Sequence, residues 1–276
     1  MIWLNALHES VSNGHACVLV TITDVQGSSP RSVGARMLVT PQSISDTIGG
    51  GVLEQQAIER SRELLKSAST DSVIKSQNIV LGAELSQCCG GKVTLNYEYH
   101  PACTFNVVIF GAGHVAQSLA TILQQLPCRA LFIDSREEWL EKLPVNQSSY
   151  GHINSRVLGN NPFLTVEQCP DNAYFLVMTH SHELDFDLIE AILSRGDSAY
   201  CGLIASKSKA VRFRTRLARK GFTDVELAKL TAPIGEKAVS GKLPMEVALS
   251  AMVEILNIRS KQSLHLVSIE HVVKQP

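Results

Sequence analysis

The residues whose types and spacing suit chemistry fall into a few short stretches. The first is Gly111-Ala112-Gly113-His114-Val115-Ala116, which follows the apolar run Val107-Val108-Ile109-Phe110 without a break. A strand running into G-x-G-x-x-A is the fingerprint of a dinucleotide-binding turn. Gly111 permits the tight turn, Gly113 lets a pyrophosphate approach the backbone, and the small Ala116 lets the next helix pack close. The free N–H groups at the start of that helix carry a partial positive charge that suits phosphate. The following run, Leu131-Phe132-Ile133, ends in Asp134, where an acid is expected to bond the 2′-hydroxyl of an adenosine ribose. An acid at that place predicts NAD over NADP, because it repels a 2′-phosphate. His114 has two readings: a contact to the phosphates or to a ligand above them, or a helix-start histidine bonded to backbone.

A second stretch is His180-Ser181-His182, after the run Tyr174 to Met178. Residues two apart on an extended segment point to the same side, and ligands of open α/β sheets bind at the carboxyl ends of strands. These histidines can donate hydrogen bonds to a cofactor phosphate or, with Glu183 or Asp185, hold a metal. The structural alternative is a helix cap made by Ser181 or Asp185. Cys88-Cys89-Gly90-Gly91 sets two sulfurs directly before a flexible diglycine turn. A thiolate there can ligate a metal or carry a persulfide, although free cysteine also serves as a small buried hydrophobe.

Glycine-rich backbone able to cradle an anion recurs at Gly49-Gly50-Gly51 and at Gly90-Gly91. Arg31 and Arg36 flank the turn after Pro30 and can pair with phosphate in a bidentate manner, or lie on the surface of that turn. Ser206-Lys207-Ser208-Lys209 brings donors and positive charge to another strand-to-helix junction, where Ser206 also serves as an N-cap.

The elements that must position these groups differ between the two halves. Up to residue 103 the apolar residues come in short β-branched runs, Cys17 to Val25, Ala35 to Thr40, Ser72 to Leu81 and Lys92 to Tyr99. One amphipathic helix, Leu53 to Ala68, interrupts them. From residue 104 strands and helices alternate: strand Phe105–Phe110, helix Val115–Gln125, strand Ala130–Asp134, strand Tyr174–Thr179, helix Leu184–Ser194, strand Tyr200–Ala205, helix Lys207–Lys220 and helix Met245–Arg259. Alternation of this kind predicts a parallel sheet covered by helices. The fold class is therefore α/β: a Rossmann-type domain over 104–260, a smaller α+β domain over 1–103 before it, and a tail over 261–276 whose segment Leu264 to Val267 can form a strand.

Composition excludes several function classes. Of 276 residues 45% are apolar and 18% charged, enough for packed cores. The net charge of -1 offers no general field for a phosphate backbone, so nucleic acid is not an expected partner. The run from Lys207 to Lys220 reads as the solvated face of a helix. No apolar run reaches the length of a membrane span, and the first residues lack the pattern of a signal peptide, so a cytoplasmic location without a membrane partner is expected. Seven irregularly spaced cysteines then stay as thiols, and the absence of a C-x-x-C pair speaks against structural zinc.

Several motifs in order resemble the XdhC/CoxI family: Gly27-Ser28-Ser29-Pro30-Arg31, Gly34-Ala35-Arg36-Met37, Ile48 to Glu54, Gln87 to Leu95, Phe110 to Val115, Thr179 to His182, Gly202 to Lys209 and Pro233-Ile234-Gly235. The resemblance covers nearly the whole chain. It implies an accessory factor of xanthine dehydrogenase and related molybdenum hydroxylases that binds molybdenum cofactor, a molybdopterin, and protects it while its terminal sulfur is installed. Such a factor delivers the cofactor to the molybdenum subunit of apo xanthine dehydrogenase, with a cysteine desulfurase as a further partner, and performs no turnover of its own. Under that reading Arg31, the three glycine loops, Cys88, Cys89, His114, His180 and His182 contact the cofactor, and Cys89, which abuts the turn, is the candidate molybdenum ligand. Val52 departs from the His or Cys that family members often carry after the glycine triplet, so that position supplies no ligand here.

Two other functions compete. The fingerprint with Asp134 taken alone implies an NAD-dependent oxidoreductase with His180 or His182 as proton donor. A cluster of His114, His180 and His182 would instead make a metal-dependent domain. The residues leave the oligomeric state open, a homodimer included.

Overall fold

A computed structural model describes residues 1–67, 72–82, 90–144, 152–236, 239 and 241–273. The chain divides into two compact units, Met1–Thr104 and Phe105–Pro276.

The first unit is a five-stranded antiparallel sheet built from β1 (Cys17–Gln26), β2 (Arg36–Val39), β3 (Ile44–Asp46), β4 (Val73–Val80) and β5 (Lys92–His100), in the order β3-β2-β1-β5-β4. Alternation sets its two faces. On β5 the buried residues are Val93, Leu95, Tyr97 and Tyr99, and on β1 they include Val18, Val20 and Ile22. Helix α2 (Gly51–Lys66) covers this face with Leu53, Ala57 and Leu64, each one turn or two from the last. Burying one such leucine contributes about 1.5–3 kcal/mol. The opposite face of β1 and β2, with Cys17, Leu19 and Leu38, takes Trp3, Ala6 and Leu7 of helix α1 (Ile2–Ser12). Burial pushes the Cys17 thiol up to about 11, despite a hydrogen bond with Ser10. It therefore stays protonated and unreactive at neutral pH.

The second unit is a six-stranded parallel sheet: β6 (Asn106–Phe110), β7 (Arg129–Asp134), β8 (His152–Val157), β9 (Tyr174–Val177), β10 (Tyr200–Leu203) and β11 (Leu230–Thr231). Their order is β11-β10-β9-β6-β7-β8. Renumbered within the unit this is 3-2-1-4-5-6 read from the β8 edge, the order of dinucleotide-binding sheets. β6, β9 and β10 read as unbroken apolar runs because helices cover both faces. Those helices are α3 (His114–Leu123), α4 (Glu137–Leu140), α5 (Pro162–Glu167), α6 (His182–Arg195), α7 (Lys207–Arg219), α8 (Asp224–Ala228) and α9 (Pro244–Val273). Local chemistry sets their ends. Ser181 caps α6 through Leu184 N, Ser206 caps α7 through Lys209 N, and Gly196, at φ 81°, closes α6 in the left-handed conformation.

Two expectations are corrected. The tail segment Leu264 to Val267 is not a strand, since α9 continues to Val273. β9 ends at Val177 and α6 begins at His182, so the segment holding His180 and His182 is a loop entering a helix and the two-residue alternation of a strand does not govern it.

Candidate functional site

In the second unit the site begins where the strand order reverses. β6 pairs with β7 on one side and with β9 on the other, so the carboxyl ends of β6 and β9 bound the crevice in which sheets of this order take ligands. Gly111 lies between them at φ 111°. A Cβ there would stand 2.5 Å from Met178 O and 3.3 Å from Thr179 Cα, so only glycine lets the turn pass β9 this closely. Its N–H donates to Ile133 O at 2.7 Å, which ties the turn to β7. Gly113 is the N-cap of α3, and the N–H of Gln117 donates back to its carbonyl. A Cβ on Gly113 would meet nothing within 4 Å, so its face is open to a ligand.

Asp134 does not present its carboxylate to that opening. It is 4% exposed, and both oxygens are occupied. Oδ2 accepts from Ala112 N at 2.7 Å and Arg136 Nη2 at 2.8 Å, and Oδ1 accepts from Arg136 N at 2.9 Å and Arg136 Nε at 3.0 Å. Burial on its own raises the carboxyl's pKa, but the hydrogen bonds and charge of Arg136 and the N–H of Ala112 outweigh it and hold the group below the ordinary carboxylate range. The expected ribose ligand is thus the clasp of the glycine turn. Arg136, two residues on, is not among the residues that the sequence singles out, although Asp-x-Arg spacing on a strand end is the signal for it.

His114 is exposed, with its ring edge-on to Trp139 at 5.1 Å. His182 is the first residue of α6, and its Nδ1 faces Arg212 Nη2 at 3.4 Å. Arginine only donates, so this contact calls for Nδ1 as the acceptor. His180 is exposed in the loop before it. Among the described residues no group of three His, Cys, Asp or Glu side chains comes together to hold a metal.

The loop that carries these histidines is fixed from beneath. Asp185, fully buried, accepts from Thr179 N at 3.0 Å and Thr179 Oγ1 at 2.7 Å through Oδ1, and from Lys209 Nζ at 2.5 Å through Oδ2. Lys209 Nζ also donates to Ile204 O at 3.2 Å. One carboxylate and one ammonium thereby join the ends of β9 and β10. Buried this way the pair needs every remaining hydrogen bond satisfied. Ser206 serves as N-cap, and Lys209 points into the structure.

In the first unit three distant motifs converge. Gly91 packs on the turn after β1, where a Cβ would overlap the carbonyl oxygen of Ser28, and Gly27 faces Gly91 Cα. A Cβ on Gly49 would lie 2.5 Å from Pro30 Cβ and 3.3 Å from Arg31 Cγ. Beside this junction is an open cleft of about 640 Å³ lined by Val25, Gly27, Ser29, Arg31, Ser32 and Gly34 among others. Arg31 and Ser32 are exposed in it, whereas Arg36 stacks on Trp3 at 4.7 Å and is not among its lining residues.

In the triglycine loop the backbone donors of Gly49 and Gly50 are already engaged within the unit. Ile48 N and Gly50 N donate to Glu54 Oε2 at 3.0 and 3.1 Å, and Gly49 N donates to Thr47 Oγ1 at 3.0 Å. Thr47 Oγ1 donates to the same Glu54 oxygen. Burial raises the Glu54 carboxyl, but these hydrogen bonds prevail and hold it below the ordinary range. Glu54 thus fills the place that an anion would take. Gly50 and Gly90 keep an open side, where a Cβ would meet nothing within 4 Å. Cys88 and Cys89 lie outside the described residues.

Among the described residues no helix is long and apolar enough to cross a membrane. The chain is 27% identical over 246 residues to the uncharacterized protein YqeB of Escherichia coli K12, a match spanning 88% of this chain and 43% of that protein. The chain thus spans less than half the length of that curated relative. A crystal structure described as a xanthine dehydrogenase from Bacillus halodurans matches 95% of this chain and 96% of its own at 16% identity, with a TM-score of 0.45. Residues 10–75 match the model of the XdhC and CoxI family, and residues 107–255, with the glycine turn, Asp134 and the histidine loop, match the XdhC Rossmann domain. With more than half of its length matched, the chain belongs to the XdhC family.

Proposed function

We propose that this chain is a maturation factor for xanthine dehydrogenase that binds molybdenum cofactor as cargo, shields it during sulfuration and delivers it to the apo-dehydrogenase. Membership of the XdhC family ties the chain to maturation of that enzyme. The observation that carries the finer reading is the junction in the first unit, where Gly27–Arg31, Gly49 and Gly91 meet beside one open cleft.

The residues there suit a phosphate-bearing pterin. Arg31 offers a bidentate partner for a phosphate or a pterin oxygen. Ser32 adds a hydroxyl, and the open sides of Gly50 and Gly90 admit a planar ring close to backbone. Glu54 contributes by holding the loop in one shape, so that little ordering accompanies binding. Cys89, next in sequence to Gly90, is the candidate sulfur ligand of molybdenum, with the dehydrogenase molybdenum subunit and a cysteine desulfurase as partners.

Anaerobic incubation with molybdopterin, removal of free ligand by filtration and fluorescence of the oxidised pterin test this reading. The full chain should retain about one equivalent, and Arg31→Ala and Cys89→Ala should each weaken retention at least tenfold while the protein stays folded. No retention by the folded chain overturns the proposal.

A further inference from the structure

We propose that the Rossmann unit selects a nucleotide carrying an additional phosphate on its adenosine ribose, NADP(H) over NAD(H), and that Arg136 and Lys142 around Trp139 make the selection. The inference concerns the second unit alone and stands apart from molybdopterin binding in the first.

In sheets of this strand order the residues at the end of the second strand meet the adenosine ribose. A carboxylate with free oxygens selects the diol there, and an arginine accommodates a 2′-phosphate. Asp134 stands at the right position for the first outcome but cannot produce it. Its side chain is 2% exposed, its two oxygens accept four hydrogen bonds, and the guanidinium of Arg136 neutralises its charge at contact. A ribose hydroxyl would have to displace Ala112 N or Arg136 to reach it. The group left facing outward is the guanidinium, whose side chain is 30% exposed. Its Nε and Nη2 bond Asp134, which leaves the Nη1 donors directed away from the clasp.

Trp139 extends this edge. Arg136 Cζ lies 5.2 Å and Lys142 Nζ 4.3 Å from its ring centroid, and the His114 ring meets it at 5.1 Å. His114 opens α3 directly after Gly113, so the aromatic ring links the turn that suits a pyrophosphate to the cations at the ribose end. Two cations on one indole give a phosphate dianion charge-assisted donors at the ribose end of the turn. Glu137, Glu138 and Glu141 are exposed on the same segment, and the charge of Glu138 acts on Arg136, so they offset part of the cations' field. Selection therefore acts through direct charge-assisted hydrogen bonds from Arg136 and Lys142.

Calorimetric titration of the full chain with NADP+ and NAD+ tests the inference. NADP+ should bind about 10–100-fold more tightly, the range that one or two charge-assisted hydrogen bonds supply. Lys142→Ala leaves the Asp134 clasp intact and should reduce the ratio several-fold. Arg136→Met should abolish the preference, with circular dichroism checking that the turn still folds. The preference should also shrink between low and physiological salt. Equal or tighter binding of NAD+, binding of neither nucleotide by the folded chain, or a ratio untouched by Lys142→Ala overturns it. Because molybdopterin retention is measured separately on the same preparation, failure here leaves the reading of the first unit where it stood.

Discussion

The carboxylate of Asp134 accepts the backbone N–H of Ala112 at 2.7 Å, so the acid at the end of one strand holds the glycine turn at the end of its neighbour. This buried contact, reinforced by Arg136, couples the stability of the unit to the shape of its nucleotide turn.

Acid should therefore release the clasp. A carboxyl held below its ordinary value of 3.8 contributes stability that is complete above that value and is lost as pH falls through the folded-state value. Asp134→Asn should destabilise the chain by about 2–4 kcal/mol at pH 7, since Arg136 loses its partner. The loss should narrow as pH falls below the ordinary value of 3.8, where the carboxyl of the unfolded chain takes up its proton, and close as pH falls through the lowered folded-state value. Urea titrations at pH 7 and pH 3.5 compare the two proteins, and a gap independent of pH contradicts the assignment.

Lys209→Met leaves the carboxylate of Asp185 buried without its cation. We expect a loss of about 3–5 kcal/mol, recovered in part by adding Asp185→Asn, because the double variant buries no unpaired charge. A double-mutant cycle read by urea unfolding measures the coupling. Simple additivity would deny that the pair acts as a unit.

Gly111→Ala places a methyl group 2.5 Å from Met178 O in a backbone conformation that L residues rarely adopt. The cost should be about 2–4 kcal/mol from strain and overlap together, and nucleotide binding should fall with it. Gly113→Ala, with open space around its Cβ, should leave stability nearly unchanged and weaken only the ligand. Urea unfolding and calorimetric titration of both variants separate the two effects.

Glu54→Gln retains the shape of the side chain but loses its charge. Hydrogen exchange of the Ile48 and Gly50 amides should accelerate about tenfold, the equivalent of about 1.4 kcal/mol in local opening, while the sheet amides of β1 keep their protection. The wild-type loop should loosen in the same way as pH falls through the lowered value of this carboxyl, since its hydrogen bonds need the ionised form.

Much of the fold is legible in the sequence where periodicity is strong. The alternation Val93, Leu95, Tyr97, Tyr99 marks β5, and Ser181 and Gly196 bracket α6. The glycine turn is readable because its chemistry is local. β8 is harder to read: its buried residue is Ile153, with exposed or half-buried neighbours, as suits an edge strand. β11 has only two residues. At the sites, residue types are legible and their partners are not. Asp134 reads as a ribose ligand until Arg136 and Ala112 are seen to occupy it, and the triglycine loop reads as an anion cradle until Glu54 is found inside it. Both differences have one physical cause. A sequence shows which groups can bond, whereas burial decides which bonds they have already made.

The strand order also imposes a sequence of events on the ribosome. Within the second unit β6 is central yet is the first strand synthesised, and Val107 pairs with Ala130 on one side and with Tyr174, far later in the chain, on the other. A nascent chain that has emerged only to Arg136 holds the residues of the turn and its clasp but lacks the β9 wall at Met178 and Thr179 against which Gly111 packs. The crevice closes when β9 adds to the free edge of β6. Until then that edge is an open template for pairing, and the interval is when this unit is most exposed to misassembly.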